Sequence, residues 1–472
     1  MPTGMESPFG GVSFNLNFSF WDQLLTWSSG KIILALFGII GWAILLLIFF
    51  YMGQELWLWY RQGLYTSKWK WLVLAIEIPQ EVIQSPKAVE QLFSHLSGAL
   101  VGPNVGEKFW LGKKQKWFSF EIISMAGYIQ FLIYTEQEFR DVVEAAIYAQ
   151  YPTAEITEIE DYVGVIPTKF PNDAEDVFGV EFTLAGHNAY PIRTYPEFEH
   201  SVTKDAMFND PMAAVLENFT RLGAGENFFT QIVIEPVADT WQAAGISLVK
   251  EIIAQKKAPA KAGILGGILG LPAKLFEMLM DVWNWNFEPK EKEVKREEVV
   301  AGKVSELPPG LKNTVQAVED KIAKVGFKTK IRALYVARKE VFNPSRCLDG
   351  YVGSLKQFSM VNRNQLTPYV VTKAYYAFKK LIVVWKKRKF VNAFKKRKIK
   401  VYGTPYILNI EELATLWHFP LPSVKTPLLQ KSATKRSEPP FGLPIDLDLP
   451  VGPAVEEERK EEPPEPEELP YG

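Results

Sequence analysis

Residues 118–162 read FSFEIISMAGYIQFLIYTEQEFRDVVEAAIYAQYPTAEITEIEDY, and their changes of period decide the fold. Phe118, Phe120 and Ile122 alternate with Ser119, Glu121 and Ile123. After Met125-Ala126-Gly127, Ile129, Phe131 and Ile133 alternate again, so two period-two runs meet at a tight turn and predict a hairpin. Phe139, Val142, Val143, Ala146 and Ile147 then recur at helical spacing until Pro152 stops the helix. The last strand, 154–161, carries Glu155, Glu158 and Glu160.

Upstream, 71–78 is a nearly continuous apolar run ending at Pro79, and Val89, Leu92, Phe93 and Leu96 follow at helical spacing. The order is therefore βαββαβ. In the split βαβ arrangement the first strand is central and apolar on both faces, whereas the last is an edge that tolerates charge. The contrast between 71–78 and 154–161 fits, and predicts a ferredoxin-like domain over 71–165.

The pattern recurs downstream. Residues 177–184 read as a strand, 212–222 as a helix through Val215, Leu216, Phe219 and Leu222, and 229–235 as a second strand. A helix over 240–254 leads into an insertion, 255–310, with a Gly/Ala/Pro/Lys stretch and a charged run over 288–298. A helix over 311–323, a strand over 327–336 and a helix containing Val352, Leu355 and Phe358 follow, and 406–408 is the candidate to close the sheet. This predicts a second, interrupted ferredoxin-like unit over 175–420. Proline and glutamate dominate 421–472, which cannot bury enough apolar surface to offset chain entropy and is expected to be disordered. The class is α+β.

The N-terminal part reads differently. Residues 32–53 are 22 uncharged, mostly apolar positions in a row, about 33 Å as a helix against a hydrocarbon core of about 30 Å. A cleaved signal peptide would have a basic start and a shorter apolar region; a transmembrane helix over 31–54 fits better. Residues 1–30 contain no Lys or Arg and carry Glu6 and Asp22, while Arg61, Lys68 and Lys70 lie in the juxtamembrane segment 55–70. The positive-inside rule then puts 1–30 outside and the bulk of the chain in the cytoplasm, as a single-pass protein of the inner (plasma) membrane. Trp57, Trp59 and Tyr60 suit the headgroup layer.

Of 472 residues 47% are apolar, and 53 Lys plus Arg balance 54 Asp plus Glu, so whole-chain charge selects no partner. Cys347 is alone, which excludes an internal disulfide and a multi-cysteine zinc site. No Gly-Lys-Ser/Thr phosphate loop exists; Gly263, Gly266, Gly267 and Gly270, and the 102–108 segment, lack its ending. Ser-x-x-Lys spacings such as 201–204 and 432–435 are of a kind that chance supplies often. His187 and His200 with Glu197 or Glu199 are metal-ligating types, but among Pro191 and Pro196 they read as loop residues. His418 reads as structural. The expectation is a non-enzyme with no catalytic residues, cofactor or metal.

The apolar part of the insertion, 264–287, suits a helix at an interface, against bilayer, partner or its own domain. The sharpest electrostatic feature is 350–410, which holds no Asp or Glu. Its basic helical stretch, 373–400, offers Lys379, Lys380, Lys386, Lys387, Arg388, Lys389, Lys395, Lys396, Arg397, Lys398 and Lys400 as contacts for a polyanion. Tyr375, Tyr376, Phe378, Trp385, Phe390 and Phe394 interleave with them and could stack on single-stranded bases or pack on protein. DNA, anionic lipid and a solvated or partner-facing surface all remain open.

The stretch 118–162 and YILNIEELATLWHFP at 406–420 resemble the membrane-anchored, non-motor region of type IV secretion and conjugation-like proteins of candidate-phylum bacteria. The resemblance covers most of 71–440 and carries no catalytic signature. It implies a separate HerA/FtsK-type ATPase as partner. The expected function is a structural or adaptor component of a DNA or protein translocation machine, with the lipid bilayer as a partner and a homo-oligomer as a further expectation. The alternative is a membrane-tethered regulator that binds nucleic acid or anionic lipid.

Overall fold

The computed structural model describes residues 28–79, 82, 84–198, 210–254, 307–373 and 379–421. Residues 255–306 of the expected insertion, including the apolar segment 264–287, the expected tail beyond Leu421, His200, Glu199, the Ser-x-x-Lys spacings 201–204 and 432–435, and Tyr375, Tyr376 and Phe378 lie outside them.

Helix α1, Ser29–Thr66, runs for 38 residues without a break, about 57 Å at 1.5 Å per residue. Ile44, Leu46, Phe49, Phe50 and Tyr51 are all exposed along it. Among the described residues no helix is long and apolar enough to cross a membrane. The side chains of 31–37 and several up to 43 are not among them, so the run 32–53 is described only in part.

The body is α+β, built on one nine-stranded antiparallel sheet. Its elements in order are β1 (Trp71–Glu77), α2 (Pro86–Leu96), β2 (Phe118–Met125), β3 (Tyr128–Glu136), α3 (Arg140–Tyr148), β4 (Glu155–Ile159), β5 (Glu175–Leu184), α4 (Pro211–Thr220) and β6 (Glu226–Pro236). Then come α5 (Gln242–Ala254), α6 (Pro309–Ile322), β7 (Gly326–Arg338), α7 (Gly350–Leu355), β8 (Leu366–Val371), α8 (Lys379–Lys395), β9 (Tyr406–Asn409) and α9 (Ile410–Leu416). The strand order is β4-β1-β3-β2-β6-β7-β5-β8, with β9 paired to β7. Read from either edge inward, the two halves have the same order: last, first, third, second. They join through β2 and β6, which pair over eight residues, so one sheet runs across both.

The hairpin turns where the sequence predicts: Ala126 and Gly127 both take positive φ, 50° and 93°, as a two-residue turn matched to strand twist requires. Strand β1 is buried along its middle and β4 is largely exposed, matching their central and edge places. The fourth strand of the second half departs from expectation. It is β8, not 406–408, and Pro368 inside it hid the signal. A proline cannot donate to a ladder and is confined to edges or irregularities; here the register shifts between Glu181 and Phe182 where β8 passes Pro368. Strand β9 instead pairs with the first four residues of β7 and feeds α9 through a capping box of Asn409 and Glu412.

One face of the sheet carries Phe120, Phe131, Ile133, Phe228, Ile232, Ile331 and Tyr335, and α2, α4, α7 and α9 bury it with Phe93, Leu216, Phe219, Tyr351 and Trp417. Phe93 stands 4.6 Å from Phe120, ring to ring. The opposite face holds Ala75, Leu132, Phe229, Leu334 and Val336, and α8 covers it with Phe390, Val391 and Phe394.

Candidate polyanion-binding surface

Helix α8 holds most of the cations singled out in the sequence, and the sheet fixes its pose. Phe390 and Phe394 are fully buried, so neither is a stacking platform. A Cβ at Gly179 on β5 would lie 2.3 Å from the Phe390 ring; only glycine lets the ring come this close. The solvent face of α8 carries Leu381, Trp385, Arg388, Lys389 and Asn392, with Trp385 58% exposed.

The C-terminal end of α8 is locked. Lys398 N–H donates to Ala393 O and Arg397 N–H to Phe394 O, both at 3.0 Å, which is the paired closure of a helix whose next residue is left-handed. Arg397 is that residue, with φ 45°, a place usually given to glycine. What holds an arginine there is beneath it. Its guanidinium meets Glu121 on β2 at 2.8 and 3.1 Å and Asp161 at 2.6 and 2.9 Å, and lies 3.8 Å over the Tyr134 ring. Burial alone would push its pKa down; Glu121 and Asp161 outweigh that and hold it well above the ordinary value.

Arg397 is therefore removed from the set of candidate contacts. It faces inward, is buried, and is neutralised by two carboxylates. Its neighbours in the sheet extend the same pattern: Glu121, Gln231, Arg332 and Glu181 are successive cross-strand partners. Gln231 donates to Phe394 O and Arg332 to Lys398 O, satisfying helix-end carbonyls. Glu181 pairs with both Arg332 and Lys330 at 2.8 Å.

The other candidates divide into committed and free. Lys386 donates to Lys373 O, Lys387 pairs with Asp176, and Arg388 donates to Phe170 O. Lys389 lies over Trp385 and Tyr402 at 4.8 and 4.7 Å. Burial lowers the Lys395 pKa, with Asp161 opposing. Lys379, Lys380, Lys396, Lys398 and Lys400 are exposed and pair with no carboxylate of the described residues. Lys114 joins them in space: burial pushes its pKa down, Glu235 opposes, and nearby Lys400 and Lys398 push it down further. It lies over Trp117 at 4.8 Å. Nothing in the sequence links Lys114 to 398–400; its only signal is the local run Lys113-Lys114-Gln115-Lys116.

Fixed lysines facing water without counter-charges attract phosphate by releasing its condensed counterions. Chemistry on a substrate would need more. A cleft of about 590 Å³ beside α6 is lined by Glu197, Lys321, Lys324, Arg363 and Glu411. Most of its charges are already matched, Arg363 to Glu197, Lys324 to Glu411, and Lys321 to Glu412 at 3.0 Å, while Asp320, also in the lining, is exposed. His187 Nδ1 accepts from Ala189 N–H, and among the described residues no three His, Cys, Asp or Glu side chains are grouped to hold a metal.

The fold and this surface define an α+β protein whose large antiparallel sheet presents a lysine-bearing helix end. The chain belongs to the family described as a domain of unknown function, DUF8128, whose model matches residues 101–432. The match begins after β1 and α2, although β1 sits between β3 and β4 in the sheet. No curated protein matches the sequence.

Proposed function

We propose that this protein is a membrane-anchored structural or adaptor component of a DNA or protein translocation machine, working with a separate ATPase. Each half-sheet is read as a ferredoxin-like unit, supported by the last-first-third-second strand arrangement in both and by the βαββαβ order, which α5 and α6 interrupt in the second. Helix α1 is read as the inner-membrane anchor, supported by the uncharged run 32–53 and the exposed apolar side chains from Ile44 to Tyr51. The observation that carries the reading is that α1 is bonded to the body through the 107–111 turn: Trp57 Nε1 donates to Phe109 O at 2.8 Å and Arg61 to Trp110 O. Such a part suits a mount that positions a motor.

Mild-detergent purification of the full chain from its native membrane, followed by mass spectrometry, is expected to retrieve a Walker-motif ATPase. Repeated purification without one rejects the adaptor reading. The unpaired lysines favour a second reading, a membrane-tethered binder of nucleic acid or anionic lipid. It gains if DNA affinity falls steeply between 50 and 200 mM salt, by about 10³-fold for six phosphate contacts, and no ATPase accompanies the chain.

A further inference from the structure

The turn Glu107–Leu111 is docked on α1 and points apolar side chains away from the body. Gly112 closes it at φ 73°, and a Cβ there would lie 2.2 Å from Arg61 O, so turn and helix backbones touch. Trp110 packs edge-on against Trp57, ring centres 6.1 Å apart. Yet Trp110 is 69% and Leu111 59% exposed, and Val105 beside them is exposed too. A soluble surface has no reason to hold a tryptophan and a leucine outward on so tightly fixed a turn.

Position along α1 says what covers them. Trp57 is four residues past Gly53, the end of the uncharged run, hence about 6 Å beyond it along the helix. The headgroup layer is roughly 5–8 Å thick on each side of the hydrocarbon. Trp57 therefore lies at headgroup depth, and Trp110, in contact with it, lies at the same depth. The flanking charges agree: Lys108 is exposed, Lys113 is tied to Glu107 at 3.1 Å, and Arg61 is bonded back to the turn. Aromatic rings with lysines beside them are what the interface prefers.

We propose that Glu107–Leu111 is a second membrane contact, a wedge that inserts Trp110 and Leu111 into the headgroup layer and sets the angle between α1 and the sheet. This rests on the anchor reading of α1. The test uses the full chain in phosphatidylcholine/phosphatidylglycerol vesicles, with the polarity-sensitive NBD fluorophore at Leu111→Cys or at Leu46→Cys within the apolar run. Cys347 does not compete, because burial pushes its pKa up to about 12. The expected result is blue-shifted emission at both positions, with 111 quenched by lipids carrying a nitroxide near the headgroup and 46 quenched by lipids carrying one deep in the acyl chain. Quenching at 46 with water-like emission at 111 overturns the wedge and leaves the anchor standing. Blue-shifted emission at 111 without lipid quenching also overturns it, since protein would then cover the turn. No quenching at either position overturns the anchor and the wedge together. Gly112→Ala, which must push the turn off α1, is expected to lower quenching at 111 and leave 46 unchanged; unchanged quenching at 111 counts against docking as the cause.

Discussion

The two faces of the sheet solve burial in opposite ways. Under α2, α4, α7 and α9 the interface is mainly aliphatic and aromatic, with polar groups in separate islands such as Glu90 with Tyr195, Glu226 with Tyr335 and Glu412 with Lys321. Under α8 an apolar patch surrounds Glu121, Gln231, Arg332 and Glu181 in adjacent strands, joined by Arg397 from above. The first face is held by area removed from water, which is non-directional and tolerant of repacking. The second is held by groups that must be matched one to one, because an unmatched buried charge costs several kcal/mol. The difference teaches that α8 is specified in position, whereas the helices opposite are specified in chemistry.

Two truncations test this most severely. Phe93→Ala empties the centre of the apolar face and is expected to cost about 3–5 kcal/mol in urea unfolding of the full chain in detergent. Arg397→Ala strands Glu121 and is expected to cost a similar 3–5 kcal/mol. The faces part at the second step. Adding Glu121→Leu to Arg397→Met should recover most of the loss, because a buried ion pair replaced by apolar groups of like volume is often neutral. Failure to recover would mean that the network also sets the pose of α8 through bonds the apolar pair cannot mimic.

A smaller effect probes the polar islands of the apolar face. Asp210 caps α4 by accepting from Met212 N–H and meets His418 Nε2 at 2.9 Å. Burial pushes its carboxyl up, but His418 and the amides of Leu421 and Met212 more than offset that, leaving it below the ordinary value. With the folded value below the unfolded one, about 3.9, its contribution is present above about pH 4 and lost as pH falls through the folded value. Asp210→Asn is expected to cost about 1.5–3 kcal/mol at neutral pH, the range for hydrogen bonds to a charged group. It should also flatten the acid limb of stability against pH; an unchanged limb would remove Asp210 from the account.

The same contrast explains what could be read in advance. Period-two alternation and i, i+3, i+4 spacing announce elements that bury one apolar stripe, so β1 to β4, α2 and the helices over 211–220 and 309–322 were legible. Strand β8 was hidden by Pro368, whose meaning depends on its being at an edge. The lysines of α8 were visible as composition, but their division into paired and free was not. That division depends on Asp176, Asp161 and Glu121, between 211 and 276 residues away along the chain. Arg397 looked like its neighbours and has a different job, because only a left-handed helix end turns it inward.

The mildest change separates surface from scaffold most cleanly. Lys396, Lys398 and Lys400 are exposed with no carboxylate partner among the described residues, and the bond that fixes this segment to Arg332 uses the Lys398 carbonyl, which side-chain removal leaves in place. Replacing all three with alanine should therefore shift stability by only about 0.5 kcal/mol per site or less. If they meet duplex phosphates, the slope of log affinity against log salt should fall by about 2.7, close to 0.9 for each contact removed. A triple variant that binds DNA with the parental slope places any nucleic-acid contact elsewhere. One that unfolds as readily as Arg397→Ala would show that these lysines, too, belong to the network beneath α8.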